Sequence, residues 1–430
     1  MKITKLIELL NKSHSQFHVV NEIRTILKEN GFIELSETQP FLITEGKNYY
    51  VVRNNSSIIA FKTPQKCENI HFQIAASHTD SPTFKLKREP IFVSNGSTLL
   101  NVEPYGGSIL STWLDRPLSI AGRLVVKKDD MIKTVLVDIN KDLLVIPNVA
   151  IHLNRAVNEG FKYNPAVDMI PLLTSSITSL DDLFNSYKSE FQYDEILGHD
   201  LYLYNRDMAK TSGLNDEFLS SPRIDNLTSV YSSLYALINS KNAAVLNFFV
   251  AFDNEEVGSK TRQGAGSTFL KDVIERVCDS LKISKEEYHQ AVAKSSLLSI
   301  DNGHATHPNH PELSDKNKVI LGKGPIIKFN SSESYTSNGL SSSIVNKIAK
   351  NNDISIQYYE NRSDIRGGST LGNISISQVS ILSVDIGIPQ LAMHSANELC
   401  AISDIEAIYK IELEYFNSNI EVLDDQIKFN

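Results

Sequence analysis

Five side chains able to ligate a metal ion each stand where an apolar run gives way to polar sequence. They are His78 in Ala-Ala-Ser-His-Thr-Asp, Asp225 in Arg-Ile-Asp-Asn, Glu256 in Asp-Asn-Glu-Glu-Val-Gly, Asp301 in Ser-Ile-Asp-Asn-Gly-His and His394 in Leu-Ala-Met-His-Ser. Two imidazoles and three carboxylates suit a pair of zinc-like divalent ions. One carboxylate can bridge two cations and still leave room for water. Glu255 directly precedes Glu256, and adjacent side chains point in different directions. One can hold metal while the other takes a proton from water. His78 and Asp80 lie two positions apart, and in extended chain such positions share a face. Asp80 can then accept the second ring N–H of His78 and fix its tautomer.

Taken singly, each residue has a plainer explanation. Asp225 precedes an apolar helical stretch, where Asp is a good N-cap. Glu255 and Glu256 would make a solvated acidic turn, and a lone His394 would be an interior residue with its hydrogen bonds satisfied. His304, His307 and His310 follow Asp301 in a loop, where a structural or hydrated role competes with ligation. The metal reading rests on the set.

The elements that must position this set alternate between strand and helix. Residues 1 to 30 carry helical spacing with a break near Ser15 or His18. Residues 48 to 62 alternate as a hairpin turning at Asn54-Asn55. The run from Ile70 ends at His78 as a buried strand. After about Lys87 the rhythm changes to short strand-like runs, with a polar, loosely helical stretch over 171 to 195, until about Gly213. From Ser221 helices and strands alternate again: helix 227–237, strand 244–252, helix 267–281 capped by Ser267, strand 295–300, helix 341–350, strand 354–359, strand 379–386 and helix 405–416. The spacing therefore predicts an α/β fold with a mostly parallel, three-layer α/β/α catalytic domain over 1–87 and 214–430. A β-rich domain over 88–213 is inserted into it. In open α/β sheets functional groups gather beyond the carboxyl ends of strands, and His78, Glu255-Glu256 and Asp301 follow such ends.

Composition removes several classes. The net charge of −9 argues against a nucleic-acid partner, which selects for basic surfaces. Cys67, Cys278 and Cys400 are odd in number and form no CxxC, so reduced thiols are expected rather than disulfides or a cysteine zinc site. No segment has the length and apolarity to span a bilayer. The amphipathic start is not a secretory signal, so a cytoplasmic protein without membrane contact is expected.

With the metal segments, Tyr105-Gly-Gly, Ser111-Thr-Trp-Leu-Asp-Arg-Pro, Ile146-Pro-Asn-Val-Ala-Ile-His-Leu-Asn-Arg, Gly324-Pro-Ile-Ile-Lys-Phe-Asn, Tyr335 and Gly367-Gly-Ser-Thr-Leu-Gly complete a pattern. Over nearly its whole length the chain resembles the aspartyl aminopeptidase family of dinuclear zinc exopeptidases. The resemblance implies one metal on His78 and Asp301 and a second on Glu256 and His394, with Asp225 bridging. It implies Glu255 as general base and Asp80 as its orienting neighbour. It also implies substrate contacts from Lys328 and Tyr335, and from His152 reaching a neighbouring subunit's site. Arg366 would add charge there. Short peptides with a free N-terminus, beginning with Asp or Glu, are the implied substrates. A homo-oligomer built from dimers, with twelve subunits, is the implied assembly, its dimer contacts made by the inserted domain.

Rival readings share the same residues. Zn, Mn and Co accept overlapping ligand sets. A relative of the same family could prefer neutral N-terminal residues. A carboxypeptidase or deacylase would need Arg223, Arg362 or Arg366 as a carboxylate clamp. A metal-stabilised peptide-binding scaffold would have no use for Glu255.

Overall fold

The computed structural model describes every residue except Met1, Glu68, Ile177, Ala243 and Arg366, so the extra charge expected from Arg366 lies outside the described residues. A nine-stranded mixed sheet forms the centre. Its middle four strands, Leu246–Phe252, Phe72–His78, Ser296–Ile300 and Leu382–Gly387, run parallel. Side chains on a strand alternate between faces, and this alternation makes two cores. Ala75, Phe249, Ala251 and Leu298 join one apolar cluster with the helices Ile3–Leu10, Gln16–Glu29, Ile224–Asn239, Gly339–Asn351 and Ile402–Asn417. Ile74, Ala76, Phe248, Val250 and Leu297 join the other, with Phe269–Ser280 and Lys285–Ala293. This is the expected three-layer arrangement.

Local chemistry explains the joints. Asn54 and Asn55 both adopt positive φ, 59° and 54°, between strands Asn48–Arg53 and Ser57–Lys62. Arg53 pairs with Ser57, so the connection is a three-residue loop whose first two residues are left-handed. The helix Phe269–Ser280 begins two residues after Ser267, whose Oγ accepts the Phe269 N–H at 3.3 Å.

A second, six-stranded antiparallel sheet is drawn from Thr83–Ser94, Ser97–Tyr105, Leu118–Lys128, Met131–Asp138, Leu172–Thr174 and Glu195–Asn205. It packs its own apolar core around Phe84, Trp113, Leu124 and Leu203. The stretch before Glu195 holds the short helices Leu180–Leu183 and Asn185–Phe191. Strand Lys210–Ser212 leaves this sheet and pairs with Phe218–Ser221, which pairs in turn with Glu398–Ala401. The three cysteines are free. Among the described residues no helix is long and apolar enough to cross a membrane.

Candidate metal centre

The parallel strands deliver the first candidate ligands. His78 is the last residue of strand Phe72–His78, and Phe252 pairs with it in register. The chain leaves Phe252 through Asp253 and reaches Glu255 and Glu256 by way of Asn254, which takes a left-handed φ of 62°. Asp301 follows strand Ser296–Ile300 directly. Asp225 lies in the first turn of helix Ile224–Asn239, where it and Asn226 have non-helical backbone angles, and the residue at the N-cap is Arg223. His394 sits between strands Pro389–Leu391 and Glu398–Ala401, in a turn where its own φ is 65°. Positive φ is uncommon outside glycine and clusters at functional sites.

These five side chains converge. His78 Nε2 lies 3.4 Å from Asp225 Oδ1, 3.5 Å from Asp301 Oδ1 and 4.0 Å from Glu255 Oε2. His394 Nε2 lies 3.6 Å from both Asp225 Oδ2 and Glu256 Oε2. Asp225 thus turns one oxygen to each imidazole. One ligand atom each from His78, Asp225 and Glu256 fall within 4.8 Å of one another. His78, Asp80, Asp225 and Asp301 are buried, whereas His394 retains about a third of its side-chain exposure.

Electrostatics mark the cluster as built for cations. Burial opposes charge on His78, but the adjacent carboxylates of Asp225, Asp301 and Asp80 outweigh it and hold the imidazolium well above its ordinary range. For His394 burial is likewise overcome, chiefly by Asp225 and Glu256, and its value is raised to about 10. Burial would raise Asp225, yet His394 and His78 pull it below the usual carboxylate range. Burial first, then Asp225, pushes Glu256 well up. Burial, with Asp301 and Asp80 adding and His78 opposing, raises Glu255 to about 8. Crowded carboxylates that resist ionisation invite a compensating cation. Buried Asp225 Oδ1 has no hydrogen-bond partner, its 3.4 Å contact to His78 lacking the geometry of a bond. The donor set is oxygen and imidazole nitrogen, which fits zinc.

The neighbouring residues hold the ligands in place. His78 Nδ1 bonds to the backbone carbonyl of Asp80 at 3.1 Å, while the Asp80 carboxylate stands further off, at 3.4 Å. The orienting acceptor is therefore chiefly the carbonyl, because the carboxylate is engaged elsewhere. It accepts the Glu255 N–H at 3.1 Å, the Glu256 N–H at 3.2 Å and the Tyr105 hydroxyl at 2.7 Å.

Lys328 is buried on strand Ile326–Phe329, its Nζ 3.2 Å from Asp301 Oδ2 and 2.7 Å from the Asn302 carbonyl. It also lies 5.6 Å from the ring centroid of the buried Tyr335. His152 is exposed in the turns between 147 and 164 and makes no hydrogen bond or ion pair with the cluster among the described residues. His304, His307 and His310 line a cavity of about 390 Å³ with Tyr359 and Met393 rather than joining the ligands.

Comparison with known proteins decides the family. The family described as "Aminopeptidase I zinc metalloprotease (M18)" matches residues 9–416. A relative from Clostridium novyi (strain NT), "Probable M18 family aminopeptidase 2", is 42% identical over 423 residues, covering 96% of this chain and 98% of the relative. This chain belongs to the M18 family of zinc aminopeptidases. The M18 fold is also that of the solved "Ape4 and Nbr1 complex", at TM-score 0.91 and 33% identity over 96% of this chain and 85% of that one. The "S. cerevesiae mApe1 dodecamer" is similar at TM-score 0.80 and 25% identity, over 96% and 95%. The present M18 protein is accordingly a metallo-aminopeptidase with zinc as its metal.

Two features of this M18 chain have no role in the sequence reading. One is Glu398, which accepts backbone N–H groups from Asp225 and His394. Its alternation in strand Glu398–Ala401 reads as ordinary sheet, and nothing local betrays its partners. The other is the reason for Tyr105-Gly-Gly. Tyr105 holds Asp80, a Cβ on Gly106 would meet Glu256 Cβ at 3.1 Å, and the Gly107 carbonyl bonds His394 Nδ1 at 3.2 Å.

Proposed function

We propose that this zinc aminopeptidase uses two ions, with His78 and Asp301 on one, Glu256 and His394 on the other, and Asp225 between them. The observation that carries this reading is the division of Asp225, one oxygen towards each histidine. Charge supports it. Asp225, Glu255 and Asp301 crowd His78, and Asp225 and Glu256 crowd His394, while Lys328 pairs with Asp301, so divalent ions would offset the excess of carboxylates.

Zinc held there supplies Lewis acidity towards the peptide carbonyl and towards water. Glu255, beside His78 but outside the ligand set, accepts the proton of the attacking water. It then passes that proton to the leaving amine. Asp80 fixes Glu255 by accepting its backbone N–H on the carboxylate, and His78 through its own backbone carbonyl. Lys328 and Tyr335 stand beside Asp301, where an acidic N-terminal side chain finds a cation, and this supports a preference for Asp or Glu. A neutral-preferring aminopeptidase is the second reading, favoured by the pairing of Lys328 with Asp301.

The carboxypeptidase reading loses support at two of its three candidate clamps, Arg223 and Arg362; Arg366 lies outside the described residues. Arg223 is buried with Nη2 on the Leu10 carbonyl at 3.2 Å, and Arg362 pairs with Asp364 at 2.6 Å. We infer that the six-stranded sheet, whose strands run from Thr83 to Asn205 and so begin slightly ahead of the expected 88–213, is the unit inserted into the catalytic domain of 1–87 and 214–430, and that it makes dimer contacts. Exposed Val149, Ile151 and Leu153 flank His152 and suit burial against a second copy. The dodecamer of the similar yeast protein supports a homo-oligomer built from such dimers.

A panel of free and N-blocked peptides, assayed after chelation and stepwise zinc return, tests the reaction. Cleavage of free peptides beginning with Asp or Glu, restored at two zinc ions per chain, is the expected result. Cleavage of blocked peptides alone would overturn it.

A further inference from the structure

The turn that carries His394 is unfavourable by itself. Ala392 and His394 both take left-handed φ, 54° and 65°, without being glycine. The entry to Asp225 has the same character, through Arg223 at 60°. Side chains with a Cβ resist that region. Something outside each segment must hold it there, and one buried carboxylate touches both.

Glu398 is 3% exposed. Its Oε2 accepts the Asp225 N–H at 3.0 Å, and its Oε1 accepts the His394 N–H at 2.7 Å. A third donor, Gln390 Nε2, reaches Oε1 at 3.3 Å. Gln390 Oε1 in turn accepts from Asn302 Nδ2 at 2.8 Å, and Asn302 also donates to the Ile224 carbonyl at 3.0 Å. The chain Asn302–Gln390–Glu398 thus ties the backbone beside Asp301 to those of Asp225 and His394. Sheet register fixes the clamp itself, since Glu398 pairs with Ser221 across the antiparallel strands that lead into both segments.

We propose that Glu398 is a positioning residue for the metal centre: it sets the spacing between Asp225 and His394, and so governs the ion that these two share. A neutral acceptor could satisfy one amide, but two diverging amides need two oxygens at fixed separation. A buried carboxylate is costly unless well bonded, and here its bonds go to the backbones of ligand residues. Hydrogen-bonded neighbours of this kind commonly tune metal affinity by 10- to 100-fold. The inference rests on the two-ion reading above.

The test uses the full-length zinc-loaded protein and Glu398→Gln, which keeps side-chain volume but offers one acceptor oxygen. Stepwise zinc affinities come from chelator competition, and cobalt substitution adds a visible spectrum for each site. The expected result is about tenfold weaker binding of one ion, with the other, which shares only Asp225, weakened less. The cobalt band of the weakened site should shift, and kcat should fall more than KM changes. Equal weakening of both ions, or none, overturns the proposal. Gln390→Met leaves Glu398 in place and removes its third donor. It should weaken the same ion by a smaller factor, and should Glu398→Gln not fold, unchanged affinities in Gln390→Met overturn the proposal. His394→Ala is the control. If it too retains both ions, the two-ion site assignment is what fails; if it loses one while Glu398→Gln loses none, only the role of Glu398 fails.

Discussion

Lys328 Nζ lies 3.2 Å from Asp301 Oδ2, so the lysine proposed to meet the substrate is already paired with a carboxylate proposed to hold metal. An acidic N-terminal residue must share this cation. Replacing Lys328 by Gln should lower the kcat/KM ratio of Asp- over Ala-anilides by at least about tenfold, the scale of a charged hydrogen bond. An unchanged ratio would leave Lys328 as a partner of Asp301 alone. Zinc content measured on the same sample separates the two effects.

Glu255→Gln should leave zinc stoichiometry intact and lower kcat by about 10²- to 10⁴-fold, the usual contribution of a general base. The Glu255 backbone N–H to Asp80 survives this change, so the loop should hold. Activity close to wild type would remove Glu255 from the proton-transfer role.

Gly106 has φ +73° and sits against Glu256, whose Oε2 would be 3.4 Å from a new Cβ. Gly106→Ala is therefore strained in backbone and crowds a ligand. A stability loss of about 1 kcal/mol is expected from the backbone alone. Zinc affinity, measured by chelator competition, should fall as well. A variant with unaltered affinity would show that Glu256 accommodates the methyl group.

Zinc must compete with protons at His78 and His394. Both imidazoles are raised in the metal-free protein, His394 to about 10. Below those values each ring carries a proton that ligation expels, so zinc affinity should rise with pH between about 6 and 8. Calorimetry in buffers of different ionisation enthalpy would count the released protons. No buffer dependence would contradict the assignment of these two ligands.

Glu412 lies fully buried between two helices, with Oε1 accepting from Ser232 at 3.0 Å and Ser233 at 2.9 Å. Burial raises it to about 8 against the serines' opposing effect, from an ordinary 4.5. Between those values the unfolded chain has lost the proton and the folded chain keeps it. The folded state then binds more protons, so stability falls as pH rises through this window, by up to about 1.4 kcal/mol per unit. Glu412→Gln should flatten that slope in urea melts at pH 5 to 8. Parallel curves for the two proteins would count against a neutral Glu412.

The fold was legible where sequence periodicity is local. The apolar runs ending at His78 and before Asp301, and the Asn54-Asn55 turn, each encode their own geometry through side-chain alternation and left-handed tolerance. The candidate cluster could be named from the sequence because ligand chemistry restricts residue type to a few imidazoles and carboxylates. Asp80 was half visible. Its proximity to His78 follows from the two-residue spacing, but its carboxylate bonds to Glu255 and Glu256, which lie 175 and 176 positions away.

What the sequence determined by itself is which residues have the chemistry of metal ligands and where strands and helices form near them, since residue chemistry and short-range backbone preference are properties of a few neighbours. Only the tertiary structure decided that Glu398 clasps Asp225 and His394, that Lys328 faces Asp301 and that Gly106 lies against Glu256. Those relationships depend on sheet order and register. Hydrogen bonds between segments hundreds of positions apart leave no periodic trace in either segment.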